Sequence, residues 1–562
     1  MMHLAKLSAL KSIFNLSTSR RLASVTVLHH HHLTHPQPEV QQPDTEQNEV
    51  VSKQSLIDSV YSIISHPIFD SSQSKRILLH LSPYDFDNCF LSIVANTNIE
   101  KLNPKTALEF FQFASVNCKF HFTVRSYCLL IGLLVSCDEL TSARSVLVEL
   151  VGGKLPALYE NSFCKRHFEL GLILANLNSI SELDVVVRVV DILIHVYSTD
   201  FKHLGFGVTV ELFTLLGNKG LLPSLKSCNI LLNSLVKAKK LNLSYEVFDI
   251  MCQCCSALDV YSFSTMVNAF CIGGRVDDAV GLFRKMEELG VAPNVVTYTN
   301  IIHGLCKVGR LDEAFQFKEK MVSLEVEPNL VTYSVLINGL VKLERFDEAN
   351  CILKEISDRG LTPNNIVYNT LLDGYCKADK VEECEKLFAE MVSMEIELDS
   401  VVFNILIRAH CKKGNMTEAF RLRDDMRSRG IPRTSFTYST LIHGLCNIGL
   451  VDDANQLLDE MRNEGLSPNV VCYNALIGGY CKLGKMHEAD SVLQNMSLKN
   501  ARPNKVTYTT IINGYCKLGN VEEADKLLNE MAQKGIILDA ATDNAFRNGF
   551  CKEEKVEEAL QI

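Results

Sequence analysis

From residue 225 onward, apolar and polar positions recur with a period of 35 residues. Residues 293–315 read PNVVTYTNIIHGLCKVGRLDEAF. Residues 503–525, six periods later, read PNKVTYTTIINGYCKLGNVEEAD. With the residue after the Pro-Asn pair as position 1, nine complete repeats follow without insertion. Repeats 1 to 9 are 225–259, 260–294, 295–329, 330–364, 365–399, 400–434, 435–469, 470–504 and 505–539. In repeat 3, Tyr298, Ile301, Ile302 and Leu305 form one helical apolar stripe. Val308-Gly309-Arg310 predicts a turn, with Gly309 suited to a left-handed C-cap. Asp312 and Glu313 open a second helix, where acids complement the dipole. Ala314 permits close packing, Met321 closes the stripe, and Asn329 is placed as N-cap of the next first helix. Neither helix can bury its stripe alone. Stacking the pairs predicts an all-α fold, an α-solenoid superhelix of helix-turn-helix 35-residue repeats with a concave inner groove.

The flanks are less regular. The expected organisation is an organelle transit peptide at 1–38, a linker at 39–55, a helical N-terminal region with degenerate repeats at 56–189, and an array at 190–562. The array includes a weak repeat at 190–224 and a partial repeat at 540–562. Residues 1–38 contain no acid and carry Lys6, Lys11, Arg20 and Arg21 with serines and amphipathically spaced Leu, Ile and Phe. That is a transit composition rather than a secretory signal. It points to the mitochondrion, with the chloroplast as the alternative. The partial repeat ends in its second helix and has Asp543 where the aromatic residue normally sits, as expected of a truncated product.

Composition narrows the classes. The 562 residues are 47% hydrophobic, which suits a large buried core and not a mainly disordered chain. No apolar run approaches the roughly 18 residues of a membrane helix, so no membrane partner is expected. The 20 cysteines suggest disulfides or zinc at first. Yet Cys271, Cys306, Cys376, Cys411, Cys446, Cys481, Cys516 and Cys551 all occupy position 12. Adjacent helix pairs stack roughly 10 Å apart, beyond disulfide reach. Buried small side chains in a reducing compartment explain them better. Cys252, Cys254 and Cys255 lack a second ligand pair at zinc spacing, and the run His29 to His32 lies in the leader. No metal and no cofactor is expected.

The other face of each first helix carries positions 2, 5, 9 and 13. Position 5 is Asn229, Ser264, Thr299, Ser334, Asn369, Asn404, Ser439, Asn474 and Thr509: a small hydrogen-bonding residue in all nine repeats. These are mediocre helix formers with no capping role in the second turn, so their cause lies outside the helix. Position 35 is mostly Asn or Asp, which N-capping alone could explain. Position 2 is mostly apolar and position 13 is usually Lys. Net charge is −10. Positions 1–14 of the nine repeats nevertheless hold eleven basic residues against one acid, Asp373, and the second helices hold the acids. Local field, not net charge, attracts phosphates.

The pattern VTYxxLIxGxCKxGxxxEA at a constant 35-residue period resembles the pentatricopeptide repeat family, in its plant organellar subclass of uniform repeats. The resemblance covers 225–562 clearly and 100–224 weakly. Tetratricopeptide repeats have period 34 and a Trp-centred pattern, and this chain has no Trp. The resemblance implies one RNA base per repeat, read by positions 5 and 35. The pairs are Asn229/Asp259, Ser264/Asn294, Thr299/Asn329, Ser334/Asn364, Asn369/Asp399, Asn404/Thr434, Ser439/Asn469, Asn474/Asn504 and Thr509/Asp539. It implies that position 2 sandwiches the base through Val296, Val331, Ile366, Val401, Phe436, Val471 and Val506. Lys307, Lys342, Lys377, Lys412, Lys482 and Lys517 are the phosphate-facing candidates.

In the family, Asn with Asp favours U, Ser or Thr with Asn favours A, Thr with Asp favours G, and Asn with Asn favours C. The implied target is 5′-UAAAUYACG-3′, the sixth pair being off-pattern because Thr434 follows Arg433 where Pro is usual. The implied function is single-stranded RNA binding in an organelle. It would support transcript stabilisation, processing, splicing or translation by occupancy, alongside other RNA-processing proteins. No small-molecule substrate and no catalytic residue is expected; the insertion at 151–189 offers only Cys164 and His167. The alternative is a protein-binding α-solenoid scaffold, which predicts an indifferent position 5 and no basic bias on the groove face.

Overall fold

A computed structural model describes residues 53–96, 101–155, 157–158, 163–176, 183–201, 205–254, 258–498, 501–537 and 544. The transit peptide and linker expected before residue 53, Asp539, and nearly all of the partial repeat at 540–562 lie outside the described residues. The chain divides into two compact units, 1–308 and 309–562. The described residues form 27 α-helices. The one strand pairing among them is short: Phe122–Thr123 runs parallel to Ala157–Leu158.

In repeats 1 to 9 every first helix occupies positions 1–13. In the first unit these are α10 (Leu225–Lys237), α12 (Val260–Ile272) and α14 (Val295–Lys307). In the second unit they are α16 (Leu330–Lys342), α18 (Asn365–Lys377), α20 (Ser400–Lys412), α22 (Ser435–Asn447), α24 (Val470–Lys482) and α26 (Lys505–Lys517). Each second helix starts at position 17. The turn between them places position 15 in the left-handed region throughout. Gly274, Gly309, Gly414, Gly449, Gly484 and Gly519 adopt it freely, and Lys239, Glu344 and Asp379 adopt it at φ of 56–58°.

Packing within each unit follows the stripe. Tyr298, Tyr333, Tyr368, Tyr438 and Tyr508 at position 4 are fully buried. In the second unit their hydroxyls reach second-helix acids: Tyr333 donates to Glu355 (3.1 Å), Tyr368 to Glu390 (2.9 Å) and Tyr508 to Glu530 (2.9 Å). In these repeats a large aromatic side chain is buried without orphaning its hydroxyl, whereas the Tyr298 hydroxyl is buried with no partner.

Position 10 explains the cysteines. A Cβ added at Gly304 would lie 2.3 Å from Cys271 Sγ, and one at Gly514 would lie 2.8 Å from Cys481 Sγ. Successive first helices approach so closely that a glycine meets the position-12 side chain of the preceding repeat. Among the described residues no cysteine is bridged. Burial pushes the thiols of Cys271, Cys411 and Cys446 up to about 12.

Upstream, α5 (Val124–Ser136) and α6 (Leu140–Val151) keep the spacing of a repeat starting at 124. The weak repeat expected at 190 departs from it: its first helix, α8 (Leu183–Thr199), begins seven residues early. The run from Val185 to Val190, apolar except for Arg188, has no capping residue to start a helix at 190. His167 is buried and hydrogen-bonds the Tyr197 hydroxyl, a core role.

Candidate nucleic-acid interface

The first helices present a repeated polar constellation flanked by exposed apolar side chains. Val296, Val331, Ile366, Val401, Phe436, Val471 and Val506 are between 47% and 63% exposed. An apolar residue left about half exposed at the same position of seven repeats is not a core residue. It is a surface on which a flat apolar ring can lie. Position 2 of repeat 2 is Tyr261, also half exposed, and Asn233 donates to its hydroxyl at 3.1 Å. Sequence reasoning did not single out Tyr261, although its position in the period marks it.

Every described position-35 residue is an N-cap. Asp259 accepts from the Ser262 N–H (2.8 Å), Asn294 from Thr297 (3.0 Å), Asn329 from Thr332 (3.0 Å) and Asn364 from Val367 (3.2 Å). Asp399 accepts from Val401 and Val402 (2.9 and 3.0 Å), and Thr434 from Thr437 (3.4 Å). Asn469 accepts from Val471 and Cys472 (3.0 and 3.1 Å), and Asn504 from Thr507 (3.1 Å). The cap decides what remains for a ligand. In an Asn cap the oxygen is committed to the helix, so the amide NH2 is left as a donor. In an Asp cap one oxygen is committed to the helix; at Asp399 the other is left as an acceptor, and at Asp259 it also takes the Asn229 amide while keeping further lone pairs. At Asp259, partial burial opposes the charge, but hydrogen bonds from Ser262, Asn229 and Tyr261 outweigh it and hold the carboxyl below its usual range.

Position 5 lies beside these caps. Asn229 donates its amide to both oxygens of Asp259 at 3.1 Å, bringing the first pair into direct contact. Three further pairs are linked through the hydroxyl at position 3 of the following repeat. Ser264 bonds Thr297, which reaches Asn294. Asn404 Oδ1 accepts from Thr437 at 2.7 Å, which contacts Thr434 at 3.4 Å. Asn474 Oδ1 accepts from Thr507 at 2.7 Å, which contacts Asn504 at 3.1 Å. Repeats 4, 5 and 7 have Val367, Val402 and Cys472 at the bridging place instead. There Ser334 and Ser439 bond carbonyls of their own helices, Leu330 and Phe436, and Asn369 Oδ1 is buried without a partner. Thr299 and Thr509 also donate to their own helix, at Val295 and Lys505. Thr299 belongs to the first unit and Asn329 to the second.

All six candidate lysines are exposed. Three reach back to the first helix of the preceding repeat. Lys307 donates to the Ile272 carbonyl (3.2 Å), Lys412 to the Cys376 carbonyl (3.4 Å) and Lys482 to Asn447 Oδ1 (2.7 Å). A cation at a helix C-terminus is favourable, so these lysines cap helices as well as add positive charge. Lys377 pairs with Asp373 at 2.7 Å, and Arg408 also bonds that carboxylate. Partial burial opposes the charge on Asp373, but the two cations hold its carboxyl below the usual range. In the second unit a groove of about 930 Å³ joins Ile366, Asn369, Asp373, Val401, Asn404 and Phe436.

The PPR repeat family model matches at 258–307, 293–342, 363–409, 398–447, 440–473, 468–517 and 503–552. A related PPR repeat model matches at 226–255 and 331–361. The chain belongs to the pentatricopeptide repeat family. It is similar to a pentatricopeptide repeat-containing protein of Arabidopsis thaliana, named as chloroplastic, at 41% identity over 249 residues. That match covers 44% of this chain and 29% of the relative. A second Arabidopsis thaliana pentatricopeptide repeat-containing protein matches at 29% identity, covering 40% of this chain and 30% of its own length. The chain thus spans under a third of the length of these two relatives. The crystal structure of the maize pentatricopeptide repeat protein PPR10 matches with TM-score 0.40 and 17% identity, covering 92% of this chain and 93% of that one. PPR10 in complex with an 18-nucleotide psaJ RNA element matches with TM-score 0.35 and 18% identity, covering 91% and 92%.

The position-3 hydroxyls, Ser262, Thr297, Thr437 and Thr507, also escaped the sequence reading. Their signal was present: a cap residue followed three places later by a hydroxyl is capping-box spacing. The same arrangement occurs upstream. Thr123 caps α5, Ser126 is its third residue, and both hydroxyls donate to the buried Asp87 (3.1 and 3.0 Å). Asp87 is the fifth residue of α3 (Pro83–Asn96). Burial raises its carboxyl above the ordinary value, against the pull of Ser126, Arg125 and Thr123.

Proposed function

We propose that the repeat array binds single-stranded RNA, one base per repeat, with the target 5′-UAAAUYACG-3′. The observation that carries this reading is the atom each N-cap leaves uncommitted. An Asn cap offers a donor, which suits bases whose Watson–Crick ring nitrogen is an acceptor, A and C. An Asp cap offers an acceptor, which suits U and G, whose ring nitrogen carries a proton. Position 5 supplies the second contact, and the exposed position-2 side chains of adjacent repeats sandwich the ring. The basic bias of the first helices supplies the phosphate attraction, with Lys307, Lys342, Lys377, Lys412, Lys482 and Lys517 contributing. Support for the class of ligand comes from the maize PPR10 complex with RNA.

The activity we infer is occupancy. Bound RNA is shielded or remodelled and so stabilised, processed, spliced or translated by other proteins, a mode of action that requires no catalytic group of the array. The site is organellar. The chloroplastic name of the 41%-identical relative favours the plastid over the mitochondrion that the leader composition suggested. The test is a fluorescence-anisotropy titration of the full chain with labelled RNA containing UAAAUUACG, with the matching DNA and a scrambled RNA as competitors. Tight binding to the first, weakened by salt and poorly competed by the others, is the expected result. Competition by the DNA and the scrambled RNA equal to that by unlabelled target would overturn the sequence-specific reading, and no binding at all would favour a protein-binding scaffold.

A further inference from the structure

Repeats 1 and 5 carry the same reading pair, Asn229/Asp259 and Asn369/Asp399, but differ in one neighbouring hydroxyl. In repeat 1, the Ser262 hydroxyl lies 2.6 Å from Asn229 Oδ1 and 2.8 Å from Asp259 Oδ1, so its one proton serves either acceptor, and the Asn229 NH2 faces Asp259. In repeat 5 the corresponding residue is Val402, and Asn369 Oδ1 has no partner. Asn404 and Asn474 follow repeat 1: Thr437 and Thr507 each donate to Oδ1 at 2.7 Å. In both of these, the same threonine oxygen also accepts the backbone N–H of the cap residue, Thr434 (3.2 Å) or Asn504 (3.1 Å). Accepting that N–H leaves the hydroxyl proton for the shorter of its remaining contacts, the asparagine oxygen at 2.7 Å rather than Asn504 Oδ1 at 3.1 Å or the Thr434 hydroxyl at 3.4 Å.

We propose that the hydroxyl at position 3 of the following repeat is a positioning residue for an asparagine base reader, fixing its amide with oxygen inward and NH2 toward the base. Repeat 5, which lacks that hydroxyl, reads its base with an unfixed amide. This deepens the RNA-reading proposal above and rests on it. The consequence follows from the bases themselves. U is the one RNA base without an exocyclic amino group; A, C and G each present one. A fixed asparagine offers only donors and meets a carbonyl of U well. An unfixed one can turn its oxygen outward and accept from an amino group. Repeat 5 therefore discriminates U from amino-bearing bases less sharply than repeat 1 does, although their reading pairs are identical.

The experiment uses the full chain and RNA containing UAAAUUACG, with C substituted at the first or the fifth base. Val402→Thr adds the missing hydroxyl in a nearly isosteric change. It is expected to raise the U-over-C ratio at the fifth base by about 3- to 10-fold, the range one neutral hydrogen bond carries, and to leave the first base unchanged. Ser262→Ala is expected to lower the ratio at the first base by a similar factor, while Ser262→Thr retains it. Thermal melts of each variant report any loss of helix capping separately. If Val402→Thr leaves the fifth-base ratio unchanged, or Ser262→Ala weakens all probes alike, the hydroxyl is only a helix cap and the proposal is overturned. If the parent chain shows no base preference in any repeat, the RNA-reading proposal itself fails. That result is distinct, because Ser264/Asn294 in repeat 2 does not involve either substituted residue.

Discussion

The spacing between successive first helices rests on position 10, and Gly374→Ala tests it. An added Cβ would sit 2.2 Å from Val341 Cγ1 and 3.2 Å from Cγ2, but 3.3 Å from Val341 Cβ. Carbon atoms rest at about 3.5–4.0 Å, so the nearest methyl must retreat by more than 1 Å. Overpacking of this kind costs about 1–3 kcal/mol. Alanine in place of glycine in a helix returns about 1 kcal/mol of propensity. The net expectation is a loss of roughly 0–2 kcal/mol. Val341→Ala removes both clashing methyls and leaves a contact that needs only a slight adjustment. Gly374→Ala in the Val341→Ala background should therefore be neutral or stabilising. The double-mutant cycle should give a coupling of about 1–3 kcal/mol. Urea unfolding followed by circular dichroism reads it, with hydrogen exchange to localise the change, because repeat arrays unfold in segments. Effects of the two substitutions that add within about 0.5 kcal/mol would refute the packing argument.

Two further outcomes follow from the turns and the buried thiols. Lys239 holds a left-handed backbone at φ 58° where six other repeats have glycine. Lys239→Gly should therefore raise stability by about 1 kcal/mol in the same urea assay. Cys271, Cys411 and Cys446 ordinarily lose their protons near 9 and are pushed up to about 12 by burial. The folded chain thus holds protons that the unfolded chain releases. This contribution is intact below about pH 9 and is lost as pH rises toward 12. Urea midpoints should fall across that window, and thiol titration at pH 8 should label the exposed Cys351 before any of these three.

The array was legible because each local signal agreed with the period. The spacing places Asn329 as a cap and allows that role across position 35, and Asn294, Asn329 and Asn364 each cap a helix. Gly309 was read as a left-handed turn and adopts φ 81°. The shared position of the cysteines implied burial, and Gly304 against Cys271 supplies the reason. The bridging hydroxyls were not legible in the same way. Thr507 meets Asn474 across 33 residues, a contact that exists only after repeats stack. A single repeat shows merely a threonine in a capping box. The lysines have a structural role that charge counting could not reveal, since Lys307 and Lys412 bond carbonyls at the ends of the preceding first helices. Upstream, α8 starts at Leu183 because its long apolar run lacks the Pro-Asn punctuation that fixes register elsewhere.

The central claim is that positions 5 and 35 choose the base. The most direct measurement is a gel-shift titration of the parent chain and of the triple variant Asn294→Asp, Asn329→Asp, Asn364→Asp. The probes are RNA containing UAAAUUACG and the same RNA with its AAA changed to GGG. Replacing three donors by three acceptors should invert the preference. The parent should lose about 1–3 kcal/mol per changed base on the GGG probe, and the triple variant should bind GGG and discriminate against AAA. If both proteins bind both probes alike, the pairs do not read bases and the account is contradicted.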